Sequence, residues 1–445
     1  MPYVPHTPDE VRAMLDVVGV PDVEALFAEI PAALRPKSFD LPPGKSERAV
    51  LEHLERLSQK NASQPLSFLG AGFYDHFIPA AVDALSGRGE FYTAYTPYQP
   101  EASQGTLQAV FEYQTLVARL LGMECANASV YDGGTAIFEA LMMAVRHTKR
   151  RRILVSEGLN PIYRVMLGSY TSNLNLEFVT LPHAHGRIDQ EAMRAALDDN
   201  TAAVLVQNPD FFGHVADFTE LFAAARAAGA VSIISAYPVL QSVLKTPGEM
   251  GADVAVAEGQ SLGLPLSFGG PYLGIMTCSK GMIRQMPGRI VGRTTDLEGK
   301  TGYVLTLQAR EQHIRRQKAT SNICSNQALC ALRAAIHMSL LGNEGLERTA
   351  GLCLERAHYA AKRLTAIPGV ELYTPEPFGN EFAVTLPVPA YEVIARLLER
   401  GVAPGFPLGR YYPGLEREML VACTEKHSEE QIGVFAELLA GVLKA

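Results

Sequence analysis

The feature that most constrains the fold lies between residues 67 and 280, where short apolar runs alternate with amphipathic helical stretches. Strands that are almost continuously apolar, each separated by one helix, predict a parallel sheet covered on both faces. Ligands of such sheets bind at the carboxyl ends of the strands. The predicted strands are 153–156, 176–181, 203–207, 231–235, 254–257 and 273–277, with helices such as 190–197 and 218–228 between them.

About 60 residues precede this pattern and predict a helical arm. Thr7 and Glu10 have capping-box spacing, and Pro8 stands at the first helical position. Two further short helices are predicted at 23–30 and 47–57. Because these helices have too few apolar residues to fold alone, we expect the arm to pack on the main body or on a partner.

The pattern changes again after residue 299. Helical stretches at 327–341 and 346–364 lead to predicted strands at 370–373, 382–386, 402–404 and 419–422 and to a closing helix at 429–443. We therefore expect three parts in an α/β chain. They are a helical arm (1–64), a large domain with a mainly parallel sheet (65–325), and a helix linker with a small α+β domain (326–445).

Composition excludes several classes of protein. The chain is 47% hydrophobic and 19% charged, which is not the composition of a disordered protein. Its net charge of −8 argues against nucleic-acid binding, and we interpret the basic run 149–152 as a solvated helix end. The six cysteines form no CxxC pair, which indicates a reducing compartment without a zinc site. With no signal-like segment and no membrane-length apolar run, we expect a cytoplasmic protein.

A glycine-rich turn opens the predicted helix that begins near residue 133. Asp132, Gly133, Gly134 and Thr135 lead directly into an apolar helical stretch. Free backbone N–H groups and the positive end of a helix dipole can bind an anion there. A capped helix with a tight turn is the alternative interpretation.

The sheet, this loop, the arm and the small C-terminal domain together resemble the fold-type-I pyridoxal-phosphate enzymes. In that family a lysine after a late strand forms the Schiff base, and an earlier aspartate pairs with the pyridine nitrogen. Residues 258–265, followed by Gly269-Gly270-Pro271, are similar to the catalytic half of the glycine decarboxylase family. The resemblance places Gln260 at the lysine position and Ser235 near that of the aspartate.

These two replacements imply a chain without its own covalent cofactor. A glutamine amide is not a nucleophilic amine, and a serine cannot keep a ring nitrogen protonated as a carboxylate does. The resemblance covers essentially the whole chain and matches the N-terminal half of the long, single-chain glycine decarboxylases, which have two homologous halves and carry the lysine only in the second. We expect a vestigial cofactor site composed of Asp132, Gly133, Gly134, Thr135, Ser235 and Gln260, and no metal.

Residues 91–105 have neither strand nor helix periodicity but are rich in tyrosine, threonine and glutamine. Ordering such a loop is costly unless its polar groups find partners. A tyrosine-rich surface turn is the simpler interpretation. The run is similar to a glycine decarboxylase signature near the active-site mouth, which implies an active-site wall at a partner interface. The candidate residues are Tyr95, Thr96, Tyr98, Gln99, Glu101 and Gln104.

A second polar run covers residues 315–329. In fold-type-I dimers a similar segment often donates a hydroxyl group to the phosphate of the neighbouring subunit's cofactor. The resemblance therefore implies that Thr320, Ser321 and Asn322 contact the phosphate of a partner's cofactor. A basic patch followed by a helix cap is an equally good interpretation.

The resemblance implies a non-catalytic subunit for glycine decarboxylation. Its partner subunit would bind pyridoxal phosphate covalently through the lysine, in an α2β2 assembly. Glycine would lose its carboxylate as CO2, and the aminomethyl group would pass to the lipoyl arm of the H-protein. Two alternatives stay open: a fold-type-I enzyme that uses another lysine, and a regulatory pseudoenzyme.

Overall fold

The computed structural model describes residues 6–36, 38, 40–62 and 65–444, which form two compact units, residues 1–63 and 64–445. The first unit contains α1 (Pro8–Val18) and α2 (Glu47–Ser58). As predicted, the Thr7 side chain accepts a hydrogen bond from Glu10 N, and the Glu10 carboxylate accepts one from Thr7 N. The helix predicted at 23–30 is wrong. Only a 3-10 turn (Glu24–Phe27) forms there, because Pro31 ends the segment and a second turn (Ala32–Leu34) follows.

Within the described residues, the strands and the remaining helices belong to the second unit. Its strands are β1 (Leu66–Ser67), β2 (Cys125–Ala126), β3 (Arg152–Ser156), β4 (Glu177–Leu181), β5 (His183–Ala184), β6 (Arg187–Ile188), β7 (Thr201–Asn208), β8 (Val231–Ala236), β9 (Val254–Glu258), β10 (Gly274–Cys278), β11 (Ile290–Thr295), β12 (Thr301–Thr306), β13 (Glu371–Leu372), β14 (Glu381–Thr385), β15 (Val402–Ala403), β16 (Phe406–Pro407) and β17 (Glu418–Ala422). Its helices are α3 (Ala80–Ser86), α4 (Gly89–Tyr92), α5 (Gln104–Leu120), α6 (Gly133–Thr148), α7 (Pro161–Tyr170), α8 (Gln190–Ala195), α9 (Thr219–Ala227), α10 (Gln312–Arg315), α11 (Ala328–Thr365), α12 (Ala390–Leu398) and α13 (Glu429–Lys444).

A seven-stranded sheet in the order β2-β10-β9-β8-β7-β3-β4 organises this unit. Strands β3, β4, β7, β8 and β9 are parallel, as predicted. Strand β10 is antiparallel to both its neighbours, so its predicted parallel direction is wrong. The connection 259–273 contains no helix, and a chain that returns without a crossover helix pairs antiparallel. The short strand β2 and the hairpin β11–β12 were not predicted.

The apolar strands are buried on both faces, as their composition predicts. Every residue of β8 and β9 is buried. Alternate residues of one strand belong to two separate clusters. Leu205 and Ile233 pack with the apolar face of α6, whereas Val204 and Ile234 pack with residues of α9. Because both faces of the sheet are covered, polar side chains can gather at the carboxyl ends of its strands.

The C-terminal part follows the prediction except in the pairing of β15 and the presence of β16. The long helix α11 is broken at Gly342 (φ 61°, ψ −171°), between the two predicted helical stretches. Strands β13, β14, β17 and β16 form a four-stranded antiparallel sheet. Strand β15 does not join it but pairs with β1, and β16 was not predicted. Among the described residues, no helix has both the length and the apolar character needed to span a membrane.

The interpretation of residues 149–152 as a solvated helix end is wrong for the arginines at 150 and 152. Lys149 ends α6 in the left-handed conformation, with φ 62°. The Arg150 guanidinium donates to the carbonyls of Thr201 and Ala228 at 3.0 and 2.7 Å. Arg152 donates to the carbonyl of Ala196 at 2.7 Å. These arginines satisfy free carbonyl groups at the ends of neighbouring elements.

Candidate functional site

The carboxyl ends of β7, β8 and β9 meet in a pocket that we call the strand-edge pocket. Each strand places polar side chains there: Gln207 from β7, Ser235 from β8 and Glu258 from β9. Distant segments close the pocket, and its full lining is Gly72, Tyr74, Asn160, Tyr163, Gln207, Pro209, Asp210, Gly213, Ser235, Ala236, Tyr237, Pro238, Glu258, Asn380 and Glu381. The sheet therefore has its polar pocket where the topology predicts it.

Gln260 lies just after β9 and is only 1% exposed. Its amide nitrogen donates to the carbonyls of Tyr74 and Leu264 at 3.0 and 2.9 Å. Its amide oxygen accepts from the backbone N–H of Tyr74 at 3.0 Å. The side chain thus satisfies both backbone groups of Tyr74 and ties that segment to the end of β9. An amide has the acceptor and the donors that this geometry needs, whereas an ammonium group is a donor only.

The glycine-rich turn before α6 is already filled by a carboxylate of the same chain. Gly133 N donates to Glu258 Oε2 at 2.9 Å, and Thr135 N donates to Asp132 Oδ1 at 2.7 Å. A Cβ atom at Gly133 would lie 2.9 Å from the Cβ atom of Glu258, so glycine allows this approach. Glu258 also accepts from the backbone N–H groups of Gln260 and Leu273. Burial raises the pKa of Glu258 to about 7 despite these bonds.

Further buried polar groups line the strand-edge pocket. Glu381 accepts from Ala71 N at 2.6 Å and from the Tyr74 hydroxyl at 2.7 Å, and burial raises its pKa to about 7. Burial also raises the pKa of Asp210, whose Oδ2 has no hydrogen-bond partner within the described part of the chain. The ring of Tyr74 packs 4.7 Å from that of Tyr237, whose hydroxyl contacts His76.

These residues do not fit pyridoxal phosphate. Three buried carboxyl groups line the pocket, and none of its described lining residues is lysine or arginine. The helix N-terminus that would bind a phosphate is occupied by Glu258, and a second anion there would be repelled. Gln260 supplies no amine, and Ser235 supplies no carboxylate. Of the predicted vestigial residues, Ser235 lines this pocket. Gln260 and the turn at Gly133 do not line it, but they bond Tyr74 and Glu258, which do.

The tyrosine-rich loop lies on a different surface, which we call the tyrosine face. Tyr95 is 82% exposed, and Tyr98 is half exposed above the guanidinium of Arg289 at 5.6 Å from the ring centroid. Gln99 and Glu101 are exposed, and Thr96 lines a surface cavity. That cavity shares no lining residue with the strand-edge pocket. It is lined by Ala94, Tyr95, Thr96, Pro97, Thr106, Val110, Ala128, Arg289, Val291, Leu305, Ser325, Asn326, Gln327, Ala328 and Leu329.

Gln104 differs from the other loop residues because its amide is engaged within the chain. It donates to the carbonyls of Pro100 and Tyr303 at 2.7 and 2.9 Å, and it accepts from Tyr303 N at 2.9 Å. Tyr303 belongs to β12. The β11–β12 hairpin therefore holds the base of the tyrosine loop, and Gln104 acts on the face by fixing its position.

The three polar residues at 320–322 have different surroundings. The Ser321 hydroxyl donates to Glu139 Oε1 at 2.5 Å on the buried side of α6. Asn322 is exposed. Thr320 donates its backbone N–H to the carbonyl of Arg310 at 3.0 Å, and its side chain lines a small depression with four basic residues. Of the three, Thr320 is thus the residue set among cationic side chains.

Sequence reasoning missed three residues that organise these surfaces. Glu258 directly follows a predicted strand at the ligand-binding edge of the sheet, and that position could have identified it. Glu381 begins β14 and has no such signal in the sequence. Arg289, only 5% exposed, donates to the carbonyl of Cys324 at 2.7 Å while it lies under Tyr98. It is 191 residues from Tyr98, so only the fold brings the two together.

Comparisons with known proteins point to one family. The sequence profile described as "Glycine cleavage system P-protein" matches residues 1–439. A curated relative from Maridesulfovibrio salexigens, "Probable glycine dehydrogenase (decarboxylating) subunit 1", is 72% identical over 443 residues, with 100% of both chains covered. A crystal structure of "glycine decarboxylase (P-protein) of the glycine cleavage system, in inhibitor-bound form" superposes with a TM-score of 0.95 at 46% identity, again with 100% of both chains covered.

More distant structures share the fold alone. Glutamate decarboxylase from Lactobacillus brevis has a TM-score of 0.69 at 15% identity and covers 93% of this chain and 96% of its own. That likeness confirms the expected fold class, the α/β fold of the fold-type-I pyridoxal-phosphate enzymes.

Proposed function

Because this chain belongs to the glycine cleavage system P-protein family, we propose that it is the non-catalytic subunit of a glycine decarboxylase built from two kinds of chain. It is of the subunit-1 type, since relatives with that name match it over their whole length. The complete enzyme removes the carboxylate of glycine as CO2 and passes the aminomethyl group to the lipoyl arm of the H-protein.

The observation that carries this proposal is that the groups at the lysine position and at the N-terminus of α6 are already bonded within the chain. The Gln260 amide bonds the backbone of Tyr74 and Leu264, and Glu258 accepts from the N-terminus of α6. We therefore propose that pyridoxal phosphate, which supplies the electron sink of the reaction, is bound covalently by a lysine-bearing partner subunit. This chain binds none covalently.

The tyrosine face is our candidate for the part of this chain that reaches the partner's active site. Tyr95 and Thr96 line the surface cavity that also contains Arg289, against which Tyr98 packs. Tyr95, Tyr98, Gln99 and Glu101 are exposed. Exposed tyrosines are typical of interfaces because they combine a large apolar ring with a polar group. Arg289 and Gln104 hold the face rigid from below. Such a wall can orient glycine and exclude water without supplying a nucleophile.

The helical arm supports a two-subunit assembly. Neither α1 nor α2 has a buried residue, and exposed apolar side chains such as Val17, Leu51 and Leu54 lie along them. We propose that the partner subunit covers these faces in an α2β2 assembly. We also propose the division into arm (1–64), large domain (65–325) and small domain (326–445), and a cytoplasmic location.

Co-expression with the lysine-bearing subunit tests the proposal directly. The purified heteromer, with lipoylated H-protein, should exchange labelled CO2 into the carboxylate of glycine, whereas either subunit alone should not. The same mixture without H-protein is the control for the acceptor. Exchange by this chain alone would contradict the assignment, and so would full exchange by the partner alone.

A further inference from the structure

Three side chains of types that bind metal ions meet inside the second unit, and we call them the His–Cys–Glu cluster. His76 precedes α3, Cys353 lies in α11, and Glu425 follows β17. An imidazole nitrogen, the thiol sulfur and a carboxylate oxygen all lie within 4.8 Å of one another. Because His76 and Glu425 are 349 residues apart, no local spacing such as CxxC could indicate this cluster.

The separations of the donor atoms are close to those of a zinc site. His76 Nδ1 lies 2.7 Å from Glu425 Oε2, and Cys353 Sγ lies 3.4 Å from the same oxygen. Tetrahedral zinc, with bonds of about 2.0–2.3 Å, places its ligand atoms roughly 3.3–3.6 Å apart. The sulfur–oxygen distance already has this value. The nitrogen–oxygen distance would have to increase by about 0.7 Å, which a small rotation of the carboxylate provides.

The donor set can neutralise a divalent cation inside the protein. His76 is 6% exposed and Cys353 is fully buried, while the side chain of Glu425 is 13% exposed. One thiolate, one carboxylate and a neutral imidazole leave a divalent ion with no net charge, so the cost of an unpaired buried charge is avoided. Such burial is usual for a structural metal site, in which the ion binds as the chain folds.

The atoms of the cluster that would not touch an ion are already held in place. The other ring nitrogen of His76, Nε2, is hydrogen-bonded to the hydroxyl of Tyr237. The other carboxylate oxygen of Glu425, Oε1, accepts from the backbone N–H of Phe77 at 2.7 Å. Metal-binding histidines almost always donate their second ring N–H to an oxygen, and metal-binding carboxylates are hydrogen-bonded in the same way. The cluster thus has the orienting groups of a metal site as well as its ligands.

The mixture of donor atoms selects the ion. Mg²⁺ and Ca²⁺ prefer sites composed of oxygen atoms. Zn²⁺ accepts sulfur, nitrogen and oxygen together in one tetrahedral site, and thiolate and imidazole ligands favour it. Three protein ligands leave a fourth position for a water molecule. Zinc binds cysteine as the thiolate, so the thiol proton passes to solvent when the ion binds.

We propose that His76 Nδ1, Cys353 Sγ and Glu425 Oε2 bind one Zn²⁺ ion. The ion links the segment before α3 to α11 and to the loop after β17, and it stabilises the packing of these three elements. Tyr237 joins His76 to the lining of the strand-edge pocket, so the ion also fixes one wall of that pocket. The metal site goes beyond the proposed function and does not rest on it.

The first experiment uses the full chain alone, freed of metal with a chelator, and Co²⁺ as a spectroscopic substitute for Zn²⁺. One equivalent of Co²⁺ should give the near-ultraviolet absorbance of a cobalt–thiolate bond, and added Zn²⁺ should remove this band by displacing the cobalt. Cys353→Ser should lack the band. Cys324→Ser is the matched control, because it replaces an exposed cysteine outside the cluster, and it should retain the band.

The second experiment measures the affinity for Zn²⁺ by competition with a chromophoric chelator. Loss of an orienting group costs about 10- to 100-fold in metal affinity, so His76→Asn and Glu425→Gln, which remove ligands, should each weaken binding about tenfold or more. Tyr237→Phe removes only the hydrogen bond to His76 and should weaken binding about tenfold. Glu437→Gln replaces an exposed carboxylate on α13 and should leave the affinity unchanged.

The third measurement is urea unfolding with and without Zn²⁺. Because a ligand that binds only the folded chain stabilises it, Zn²⁺ should raise the urea midpoint of the unmodified chain and of Cys324→Ser. It should leave the midpoint of Cys353→Ser unchanged. Circular dichroism establishes that each variant is folded before it is titrated.

Two outcomes would overturn the proposal. One is the absence of a cobalt–thiolate band in the unmodified chain, a result that does not depend on whether any variant folds. The other is a band that is lost in Cys324→Ser and retained in Cys353→Ser, which would make the metal an adventitious ligand of a surface thiol. If the unmodified heteromer shows no CO2 exchange, the proposed function fails, while the titrations of the isolated chain still decide the metal site.

Discussion

The Gln260 amide should stabilise the fold rather than take part in chemistry, and Gln260→Met tests this. Methionine has nearly the same length and fills the same space but cannot accept from Tyr74 N or donate to the Tyr74 and Leu264 carbonyls. Each of these three hydrogen bonds contributes about 1 kcal/mol net. All three backbone groups would lose their partners in a buried site, so unfolding should become easier by about 3 kcal/mol.

Urea unfolding of the isolated chain, followed by circular dichroism, measures this loss. With a slope of about 3 kcal/mol per M, the midpoint should fall by about 1 M while the slope stays constant. Gln108→Met is the matched control, because Gln108 is exposed on α5 and its side chain bonds Glu112 alone among the described residues. It should change stability by less than about 0.5 kcal/mol. If both variants unfold at the same urea concentration, the amide does not hold the Tyr74 segment.

Three further predictions concern the cofactor chemistry of this chain and the assembled enzyme. Borohydride treatment of this chain with pyridoxal phosphate should leave no stoichiometric lysine adduct detectable by mass spectrometry, because position 260 has no amine; a single fully modified lysine would disprove this. Deleting residues 1–60 should weaken assembly, measured by sedimentation, more than it destabilises the second unit, since an obligate interface exceeds about 2,000 Å²; an unchanged heteromer would leave the arm without this role. Alanine at Tyr95, Tyr98 or Glu101 should lower CO2 exchange about 10²-fold in heteromers that still assemble and retain cofactor, and unchanged rates in all three would make the loop structural.

The sequence predicts the parallel strands well because their apolar runs have one physical explanation, burial on both faces. Residues 231–235 and 254–257 become β8 and β9 with shifts of one residue. Strand β10 has the same composition, but its direction depends on the connection before it. Strands β2, β15 and β16 are two residues long, and their pairing depends on distant chain segments. Neither kind of information is present in local periodicity.

The residues of the candidate sites also divide into those that the sequence indicates and those that only the fold reveals. The resemblance singles out Gln260 and Ser235, and the spacing of glycines before an apolar helix singles out the turn at Asp132. The sequence does not reveal that Glu258 enters the helix N-terminus or that Glu381 bonds the Tyr74 hydroxyl, 307 residues away. It also does not separate Thr320 from Ser321, whose neighbours differ only once α6 and the turn at Arg310 are in place. Side-chain partners across such separations follow from packing.

The buried carboxyl group of Glu381 should make the stability of the isolated chain depend on pH in a defined direction. Burial raises its pKa from 4.5 to about 7, so the folded chain retains a proton that the unfolded chain releases. Its stabilising contribution is complete below about pH 4.5 and is lost as the pH rises through about 7. At 1.36 kcal/mol per pKa unit, the loss approaches about 3 kcal/mol.

Glu381→Gln isolates this contribution, since a glutamine can still accept from Ala71 N and has no charge to bury. Urea unfolding at pH 5 should give similar stabilities for the variant and the unmodified chain. At pH 8 the variant should be the more stable by up to about 3 kcal/mol, because only the unmodified chain must bury a carboxylate. Glu437→Gln, on the exposed side of α13, should follow the unmodified chain at both pH values. If the difference between Glu381→Gln and the unmodified chain is the same at pH 5 and pH 8, Glu381 does not titrate in this range. The strand-edge pocket would then be less isolated from water than its geometry indicates.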